Sequence, residues 1–414
     1  MDNSAVILII PSASYRTSAF ITAVKKLDLN VLVISNKSQV FSGKYPNRLM
    51  IMNFHHWKKK QDEISKWSAN NGLKAVIGVD EESIVLAAKI GNYLQVKHNT
   101  VDSVLLTKDK YLMRIEFKKV GLKSPWFKQF SIHDSSDYLI NEISFPCVIK
   151  PTFLSASQGV IRVNSNKELI NGIKTLKELL LIEEIRKRGG EKSDWFLVEE
   201  YIPGKEFAIE GIVSEGKLTI FAVFDKPEPL EGPTFEEKIF VTPTSLSENE
   251  QFAIFEISQN AVNALGIIEG PVHVELRINS KGIYILECAS RSIGGLCSKV
   301  LEFNDGMSLE ELILRSCLGR NVTKSKLSGS SRGVMMMPTE KNGVLKEITG
   351  VEDALNIKGI TEIKVNLKSG EKLEPLPKGD RYLGFIFAEG KNQKLVIKAL
   401  KKAWSKIAVV LDNS

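Results

Sequence analysis

Two apolar segments, 271–278 (PVHVELRI) and 282–289 (GIYILECA), most restrict how this chain can fold. Both segments have strand-like composition, and only a few polar residues separate them. A loop of three residues, 280–282, with glycine in the left-handed position is a common hairpin turn. The sequence therefore predicts two antiparallel, mostly buried strands joined by a tight turn.

This hairpin places two acids face to face. A three-residue loop pairs Asn279 with Ile283, and counting back puts Glu275 opposite Glu287, with about 5 Å between their Cβ atoms. Facing like charges are destabilising, so the two acids need a shared proton or a divalent cation. Magnesium favours one or two carboxylates together with substrate phosphates. The alternative, two solvent-exposed acids on a sheet face, stays open at this point.

Beyond Glu287 the chain continues to Arg291 and then to the glycine pair Gly294–Gly295. Arg291 has the same parity as Glu287, so on an extended chain it would lie roughly 13 Å further on. A guanidinium there could bind a carboxylate or a transferring phosphoryl group, and the glycines would expose backbone N–H groups nearby. An ordinary surface arginine is an equally good interpretation of this residue taken alone.

Composition narrows the class of protein. The chain has 414 residues, 43% hydrophobic and 25% charged, which is enough for two or three globular domains. Its net charge of +7 comes without a dense basic stripe, which argues against a nucleic-acid partner. The four cysteines show no CxxC pairing, and no apolar stretch approaches a membrane span of about 20 residues. We expect a cytoplasmic protein with reduced cysteines and no membrane partner.

The first hundred residues predict a parallel α/β sheet, because apolar runs at 5–10, 31–35 and 75–79 alternate with helical patterns. From about residue 145 the pattern changes to short strands joined by tight turns, which indicates antiparallel architecture. Helical stretches near 167–188 and 249–265 interrupt these strands.

Phosphate-binding motifs give one false signal and one better candidate. The segment 211–218 (GIVSEGKL) has P-loop spacing, but Leu218 stands where Ser or Thr should bind magnesium, so a hairpin turn is predicted instead. In 145–160 (FPCVIKPTFLSASQGV), Lys150 ends an apolar strand and a loop of small residues follows. Small residues let backbone N–H groups approach an anion closely. A solvated hairpin with a surface lysine remains the alternative.

The order of these motifs resembles that of the ATP-grasp superfamily, in particular its L-amino-acid ligase and biotin-carboxylase-like branch. The motifs are FPCVIKP with its small-residue loop, FLVEEYIPGKEF, VHVELRI, LECASRSIGG and, near the C-terminus, PLPKGDRYLGFIFAEG. The resemblance implies a mixed α/β (α+β) ATP-grasp fold. Its parts would be an N-terminal Rossmann-like α/β domain at 1–106, an ATP-grasp domain at 107–325 with a small lid subdomain at about 126–200, and a C-terminal α+β domain at 326–414.

The resemblance also implies roles for individual residues. The residues that would bind the phosphates, adenine and ribose of ATP are Lys110, Lys150, Ser155, Ser157, Gly159, Glu199, Ile202 and Glu206. Glu275 and Glu287 would hold the metal, and Glu287 and Arg291 would be the catalytic residues. The residues that would bind the substrate are Arg291, Gly294, Gly295 and Glu236. Glu236 or Glu237 is proposed because the acidic loop 225–243 lies between the two halves of the ATP-grasp domain.

The implied activity is ATP-dependent ligation of a carboxylate to an amine through an acyl phosphate, with ADP and phosphate released. Substrates would be amino acids or related small acids, the cofactors ATP and one or two Mg²⁺ with Mn²⁺ as substitute, and a homodimer is a family-level expectation. One departure is Ala289, which replaces the Asn of the family pattern E-x-N-x-R and cannot bind metal. Two alternatives stay open: another ATP-grasp ligase, of the carboxylase or purine-pathway type, or an inactive ATP-binding scaffold.

Overall fold

A computed structural model describes residues 4–38 and 48–412. Its first part is a parallel sheet in the order β3-β2-β1-β4, with helices along the connections. The elements are β1 (Ala5–Ile9), α1 (Thr17–Lys26), β2 (Asn30–Ser35), β3 (Leu49–Ile51), α2 (Gln61–Asn71), β4 (Leu73–Gly78), α3 (Ile84–Tyr93) and α4 (Val101–Lys108). All of β1 is buried, as expected for a central strand covered on both faces. The predicted parallel α/β sheet is confirmed.

A second sheet follows, antiparallel in the order β5-β8-β6-β7. Its elements, with the helix that precedes it, are α5 (Lys110–Lys119), β5 (Phe127–Ser131), α6 (Ser136–Glu142), β6 (Cys147–Pro151), β7 (Ile161–Val163), α7 (Asn166–Leu180), α8 (Glu183–Gly189) and β8 (Trp195–Glu200). The helical stretch predicted as one unit near 167–188 is two helices, since α7 ends at Leu180 and α8 begins at Glu183.

The largest sheet has eight strands in the order β13-β12-β9-β10-β11-β16-β20-β18. The strands of its first half are β9 (Lys205–Ser214), β10 (Lys217–Lys226), β11 (Ile239–Thr242), β12 (Glu269–Asn279) and β13 (Gly282–Ala289), and the helices packed near them are α9 (Glu248–Ala264) and α10 (Leu309–Cys317). The strands β14 (Glu302–Phe303) and β15 (Met307–Ser308) form a separate two-stranded sheet. The P-loop-like segment 211–218 is a hairpin turn, because β9 and β10 pair on either side of Glu215 and Gly216.

The elements of the last part of the chain are β16 (Ser331–Met337), β17 (Gly343–Thr349), α11 (Val351–Leu355), β18 (Ile360–Val365), β19 (Lys372–Leu373), β20 (Gly384–Gly390), α12 (Gln393–Trp404) and β21 (Ala408–Asp412). Strands β16, β18 and β20 continue the eight-stranded sheet, whereas β17, β19 and β21 form a separate three-stranded sheet. Strand β11 pairs with β16, so hydrogen bonds cross the domain boundary proposed at 325/326. The division at 106/107 and 325/326 stays a prediction.

In the hairpin of β12 and β13, Glu275 pairs with Glu287 as predicted, but the turn differs from the predicted one. Asn279 pairs with Gly282, not with Ile283, so the loop has two residues and the three-residue turn was wrong. A register shift next to Glu275 leaves Leu286 as an extra residue on β13, and this bulge restores the pairing of Glu275 with Glu287. The turn is one residue shorter than predicted and the bulge adds one residue, so the two differences cancel and the acids face each other.

One hydrophobic core joins the N-terminal sheet to the eight-stranded sheet. Val6 and Leu8 of β1 belong to the same buried cluster as Phe224 of β10 and Leu312 of α10. Across the described ranges, no helix is long and apolar enough to cross a membrane. The packing brings the ends of several strands together around one cleft.

Candidate active site

A cavity of about 420 Å³ lies where the N-terminal parallel sheet, the four-stranded antiparallel sheet and the eight-stranded sheet meet. Every predicted site residue except Gly159 and Glu236 lines it. These lining residues are Lys110, Lys150, Ser155, Ser157, Glu199, Ile202, Glu206, Glu275, Glu287, Arg291, Gly294 and Gly295. Residues far apart in the sequence therefore meet at a single site.

The facing acids each use one carboxylate oxygen on a neighbouring cation. Glu275 Oε1 accepts a hydrogen bond from Lys226 Nζ at 2.8 Å and lies 3.3 Å from His273 Nε2. Glu287 Oε2 lies 3.3 Å from Lys110 Nζ. Within the described part of the chain, the second oxygen of each acid has no hydrogen bond. Two such oxygens on adjacent strands fit the preference of magnesium for carboxylate ligands.

Lys110 is held at its position by the start of helix α5. Asp109 caps the helix, its Oδ1 accepting from the backbone N–H groups of Tyr111 and Leu112 at 3.0 and 3.3 Å. Lys110 is therefore the first helical residue, and its Nζ donates to the Leu154 carbonyl oxygen at 2.9 Å. This contact links the lysine to the beginning of the small-residue loop.

Lys150 and Glu199 form a buried pair on neighbouring strands β6 and β8. Lys150 Nζ contacts Glu199 Oε2, and Arg114 Nε lies 2.8 Å from Glu199 Oε1. Burial lowers the pKa of Lys150, and the attraction of Glu199 only partly opposes it. Burial alone would raise the pKa of Glu199, but Arg114 and Lys150 outweigh it and lower that pKa. Both oxygens of Glu199 are engaged by cations.

The small-residue loop has an unusual backbone. Ala156, Ser157 and Gly159 have φ values of 55°, 55° and 77°. A Cβ on Gly159 would lie 2.7 Å from the Pro151 side chain, so glycine is required there for both reasons. The Gly159 N–H donates to the Pro377 carbonyl oxygen at 2.8 Å. Gly159 thus allows the loop its backbone conformation and connects it by a hydrogen bond to the C-terminal part of the chain.

Arg291 does not lie on an extended continuation of β13, because that strand ends at Ala289 and the chain turns. Arg291 Nε donates to Glu81 Oε2 at 2.7 Å, across 210 residues of sequence. Burial alone would raise the pKa of Glu81, but Arg291 and then Lys108 outweigh it and lower that pKa. The guanidinium is therefore held in the cavity by an acid of the turn that joins β4 to α3.

The adenine- and ribose-side candidates already have protein partners. The Ile202 carbonyl oxygen accepts from Arg277 Nη1 at 2.7 Å, and Glu206 Oε2 accepts from Arg277 Nε at 2.8 Å. Glu206 Oε1 also accepts from Lys226 Nζ at 2.8 Å. Glu236 lies outside the cavity lining, where its Oε1 accepts from the Thr339 N–H at 3.2 Å. Glu237, the next residue, lines the cavity.

Sequence reasoning missed three buried residues at the cavity, Lys226, His273 and Arg277, of which the last two line it. Lys226 contacts Glu206, Glu237 and Glu275, and burial, which lowers its pKa, is outweighed by these acids, so that pKa lies well above its usual range. His273 contacts Glu210 and Glu275, and those acids outweigh burial and raise its pKa to about 9.

A sequence signal for these residues did exist. Lys226 ends the apolar strand KLTIFAVFDK, as Lys150 ends its own strand. His273 and Arg277 alternate with Glu275 along β12, and residues at every second position share one face of a strand.

Two protein families match this chain. Residues 143–300 match the ATP-grasp domain family, and residues 335–412 match the L-amino acid ligase C-terminal domain 2. Residues 143–300 form an ATP-grasp domain. The resemblance identified from the motif order is therefore confirmed, and so is the predicted ATP-grasp fold.

Individual ATP-grasp relatives agree with this assignment. The chain is 26% identical over 315 residues to the alanine–anticapsin ligase of Bacillus subtilis (strain 168), which is 70% of this chain and 65% of that relative's length. The crystal structure of an L-amino acid ligase from Bacillus licheniformis has a TM-score of 0.80 at 21% identity, and the match covers 99% of both chains. At that identity the likeness shows the fold.

A second similar structure bears on the ligands of ATP-grasp folds. It is the biotin carboxylase domain dimer of Hydrogenobacter thermophilus 2-oxoglutarate carboxylase in complex with MgADP, ADP and bicarbonate. Its TM-score is 0.68 at 13% identity, and the match covers 98% of this chain and 90% of that one. Neighbours of this fold thus bind ADP with magnesium.

Proposed function

We propose that this protein is an ATP-dependent carboxylate–amine ligase that acts on amino acids or related small acids. The observation that carries the proposal is the single cavity lined by Lys110, Lys150, the facing acids Glu275 and Glu287, and Arg291. Phosphoryl transfer needs positioning and charge neutralisation rather than a protein nucleophile, and this set supplies both. The relatives named as ligases support the same reaction type.

ATP would bind with its phosphates between Lys110, Lys150 and the loop from Ser155 to Gly159. Ser155 and Ser157 line the cavity, which supports this role, and Gly159 allows the loop its backbone conformation. In the free protein, Glu199 holds Lys150 in place. We therefore propose that Glu199 acts on the nucleotide through Lys150 as well as at the adenine side.

Glu275 and Glu287 would hold Mg²⁺, each with the oxygen that has no hydrogen bond in the described residues. When bound, the metal would neutralise the negative charge of the phosphates. Ala289 adds no ligand, so we propose that the protein itself anchors one metal firmly and that any second ion relies on water and phosphate. Substitution by Mn²⁺ belongs to the same proposal.

In the proposed reaction, a carboxylate oxygen of the first substrate attacks the γ-phosphorus of ATP, which gives an acyl phosphate and ADP. The amine nitrogen of the second substrate then attacks the acyl carbon and displaces phosphate. Arg291 would bind the carboxylate and afterwards the acyl phosphate, since a guanidinium matches both in geometry. Gly294 and Gly295 also line the cavity, and their backbone N–H groups would bind the substrate there.

The acid that would recognise the amine is Glu237 rather than Glu236. Glu237 lines the cavity, while Glu236 bonds the backbone of Thr339 outside it. Glu237→Gln should therefore raise the KM of the amine substrate at least tenfold, and Glu236→Gln should leave it unchanged. The reverse pattern would restore the original choice of Glu236.

The activity test is phosphate release from ATP and magnesium with all pairs of the standard amino acids, using Glu287→Ala as control. Release by particular pairs that the control lacks would establish the ligase and name its substrates. Bicarbonate-dependent release would instead support a carboxylase-type enzyme. Tight ATP binding without release would support a scaffold. A homodimer and a cytoplasmic location remain parts of the proposal, and sedimentation of the purified chain tests the first.

A further inference from the structure

Three carboxylates meet at the floor of the cavity in what we term the carboxylate cluster, consisting of Glu206, Glu237 and Glu275. One oxygen of each lies within 4.8 Å of the oxygens of the other two. Oxygen ligands at this spacing would suit a divalent cation. The ammonium of Lys226 occupies this space, since its Nζ lies 2.8 Å from oxygens of Glu206 and Glu275 and also contacts Glu237.

Strand register fixes this ammonium in place. Lys226 is the last residue of β10 and lies opposite Glu206 of β9. Glu206 in turn lies opposite Arg277 of β12, the strand that also carries Glu275. The Lys226 side chain is 2% exposed, and its Nζ lies 5.0 Å from the centre of the Phe240 ring. The sheet therefore fixes the backbone of Lys226, and burial against the aromatic ring holds its ammonium in the cluster.

The contacts of Lys226 also decide how Glu275 is used. Lys226 takes Oε1 of Glu275, the oxygen that His273 also approaches, and no described residue bonds Oε2. Glu275 faces Glu287 across the hairpin. Because Lys226 occupies Oε1 of Glu275, the other oxygen, Oε2, remains available for a metal ion that Glu275 and Glu287 would bind together.

We propose that Lys226 is a positioning residue whose ammonium fills the cation place of the carboxylate cluster and so confines the divalent metal to Glu275 and Glu287. This inference rests on the proposed function for its metal pair. It also gives Glu237 an anchor, because Lys226 holds that acid of the acidic loop to the two strands that carry Glu206 and Glu275.

A purely structural counter-ion makes a different prediction from a cation that fills a metal place. If Lys226 only balances charge, its removal lowers stability and creates nothing new. If it occupies a metal place, its removal opens a site for a divalent ion. The two roles therefore separate on the number of metal ions bound without nucleotide.

The experiment titrates the full chain with Mn²⁺ in the absence of nucleotide and counts free Mn²⁺ by electron paramagnetic resonance. Lys226→Met should bind one Mn²⁺ more than the wild type, at least tenfold more tightly than any nucleotide-free wild-type site. Lys238→Met is the matched control, because Lys238 is a lysine of the same region whose acids, Glu236 and Glu340, lie outside the cluster. It should bind the wild-type number.

A second variant keeps the test decisive if Lys226→Met does not fold. Lys226→Met/Glu237→Gln removes one positive and one negative charge, and it should fold and bind the extra Mn²⁺ more weakly than the single variant. An unchanged Mn²⁺ count in a folded variant would overturn the proposal. So would failure of both variants to fold, which would leave Lys226 a role in stability alone.

Glu287→Ala separates this inference from the proposed metal pair. In Lys226→Met/Glu287→Ala the extra Mn²⁺ should remain, because the carboxylate cluster does not include Glu287. In the wild-type background, Glu287→Ala should weaken Mn²⁺ binding in the presence of ADP. Retention of full binding there would refute the metal pair and leave the Mn²⁺ count to decide the role of Lys226.

Discussion

Lys150 and Lys226 both end an apolar strand and both are buried beside the cavity, yet their surroundings differ. Lys150 contacts one acid, Glu199, which also forms an ion pair with Arg114. Lys226 contacts three acids, of which Glu206 also pairs with Arg277 and Glu275 with His273. Burial therefore lowers the pKa of Lys150, whereas the acids raise the pKa of Lys226 well above its usual range.

The difference shows that a strand-end lysine acquires its role from the acids around it. When an acid is shared with another cation, it neutralises only part of the lysine's positive charge, and the remainder can attract phosphates. When three acids surround a lysine, they neutralise its charge completely, and the lysine serves to hold those acids. The same sequence signal thus indicates a ligand-binding cation in one sheet and a structural cation in the other.

The largest expected effect concerns stability. Lys226→Met takes away the cation of Glu237 and one of the cations that contact Glu206 and Glu275, and it should lower the free energy of unfolding by about 3–5 kcal/mol, the cost of breaking a buried pair. Lys150→Met leaves Glu199 paired with Arg114 and should cost about 1.5–3 kcal/mol. Urea unfolding of both variants measures the difference. Equal losses would mean that the number of acids around each lysine does not matter.

The next effect concerns ATP. Lys150→Met should lower kcat/KM for ATP about 10²- to 10³-fold, because it removes a preorganised cation that would stabilise the negative charge of the transferred phosphoryl group. Lys174→Met, a change at an exposed lysine of helix α7, is the control and should leave this constant unchanged. Phosphate release measures both once a substrate pair is known. A loss below threefold for Lys150→Met would remove Lys150 from the nucleotide site.

The facing acids and the strand-end Lys150 could be predicted because local patterns determine them. Apolar alternation defined the strands, and a short turn set the pairing of Glu275 with Glu287, although a bulge at Leu286 had to cancel an error in the turn. Sheet order could not be predicted in the same way. That Lys226 meets Glu206 and Glu275 depends on β9 pairing with both β10 and β12.

Other parts of the site had no local signal at all. Arg291 bonds Glu81 across 210 residues, and no spacing in the sequence indicates that pair. Glu236 and Glu237 lie outside regular strands, so no period of two tells which of them faces the cavity. Here the packing of the N-terminal sheet and of the acidic loop against the eight-stranded sheet decides the contacts.

A smaller effect concerns how the activity attributed to Lys150 depends on pH. Glu199 favours the charged form of Lys150, so Glu199→Gln should lower the pKa of Lys150 further. The charged form is then lost at lower pH, and the alkaline limb of kcat/KM for ATP should move to lower pH. Glu142→Gln, at an exposed acid paired with Lys128, should not move it. An upward shift in Glu199→Gln would contradict the assignment of this limb to Lys150.

The smallest effect completes the comparison with a third lysine. Lys238 lies 3.7 Å from Glu236 and 3.9 Å from Glu340, but its side chain is 37% exposed. Water screens such pairs, so Lys238→Met should change the free energy of unfolding by less than about 0.5 kcal/mol. Urea unfolding beside Lys226→Met gives the measurement. Because both lysines have more than one acidic neighbour, a loss comparable to that of Lys226→Met would show that the number of acids, and not their burial with the lysine, governs the energy.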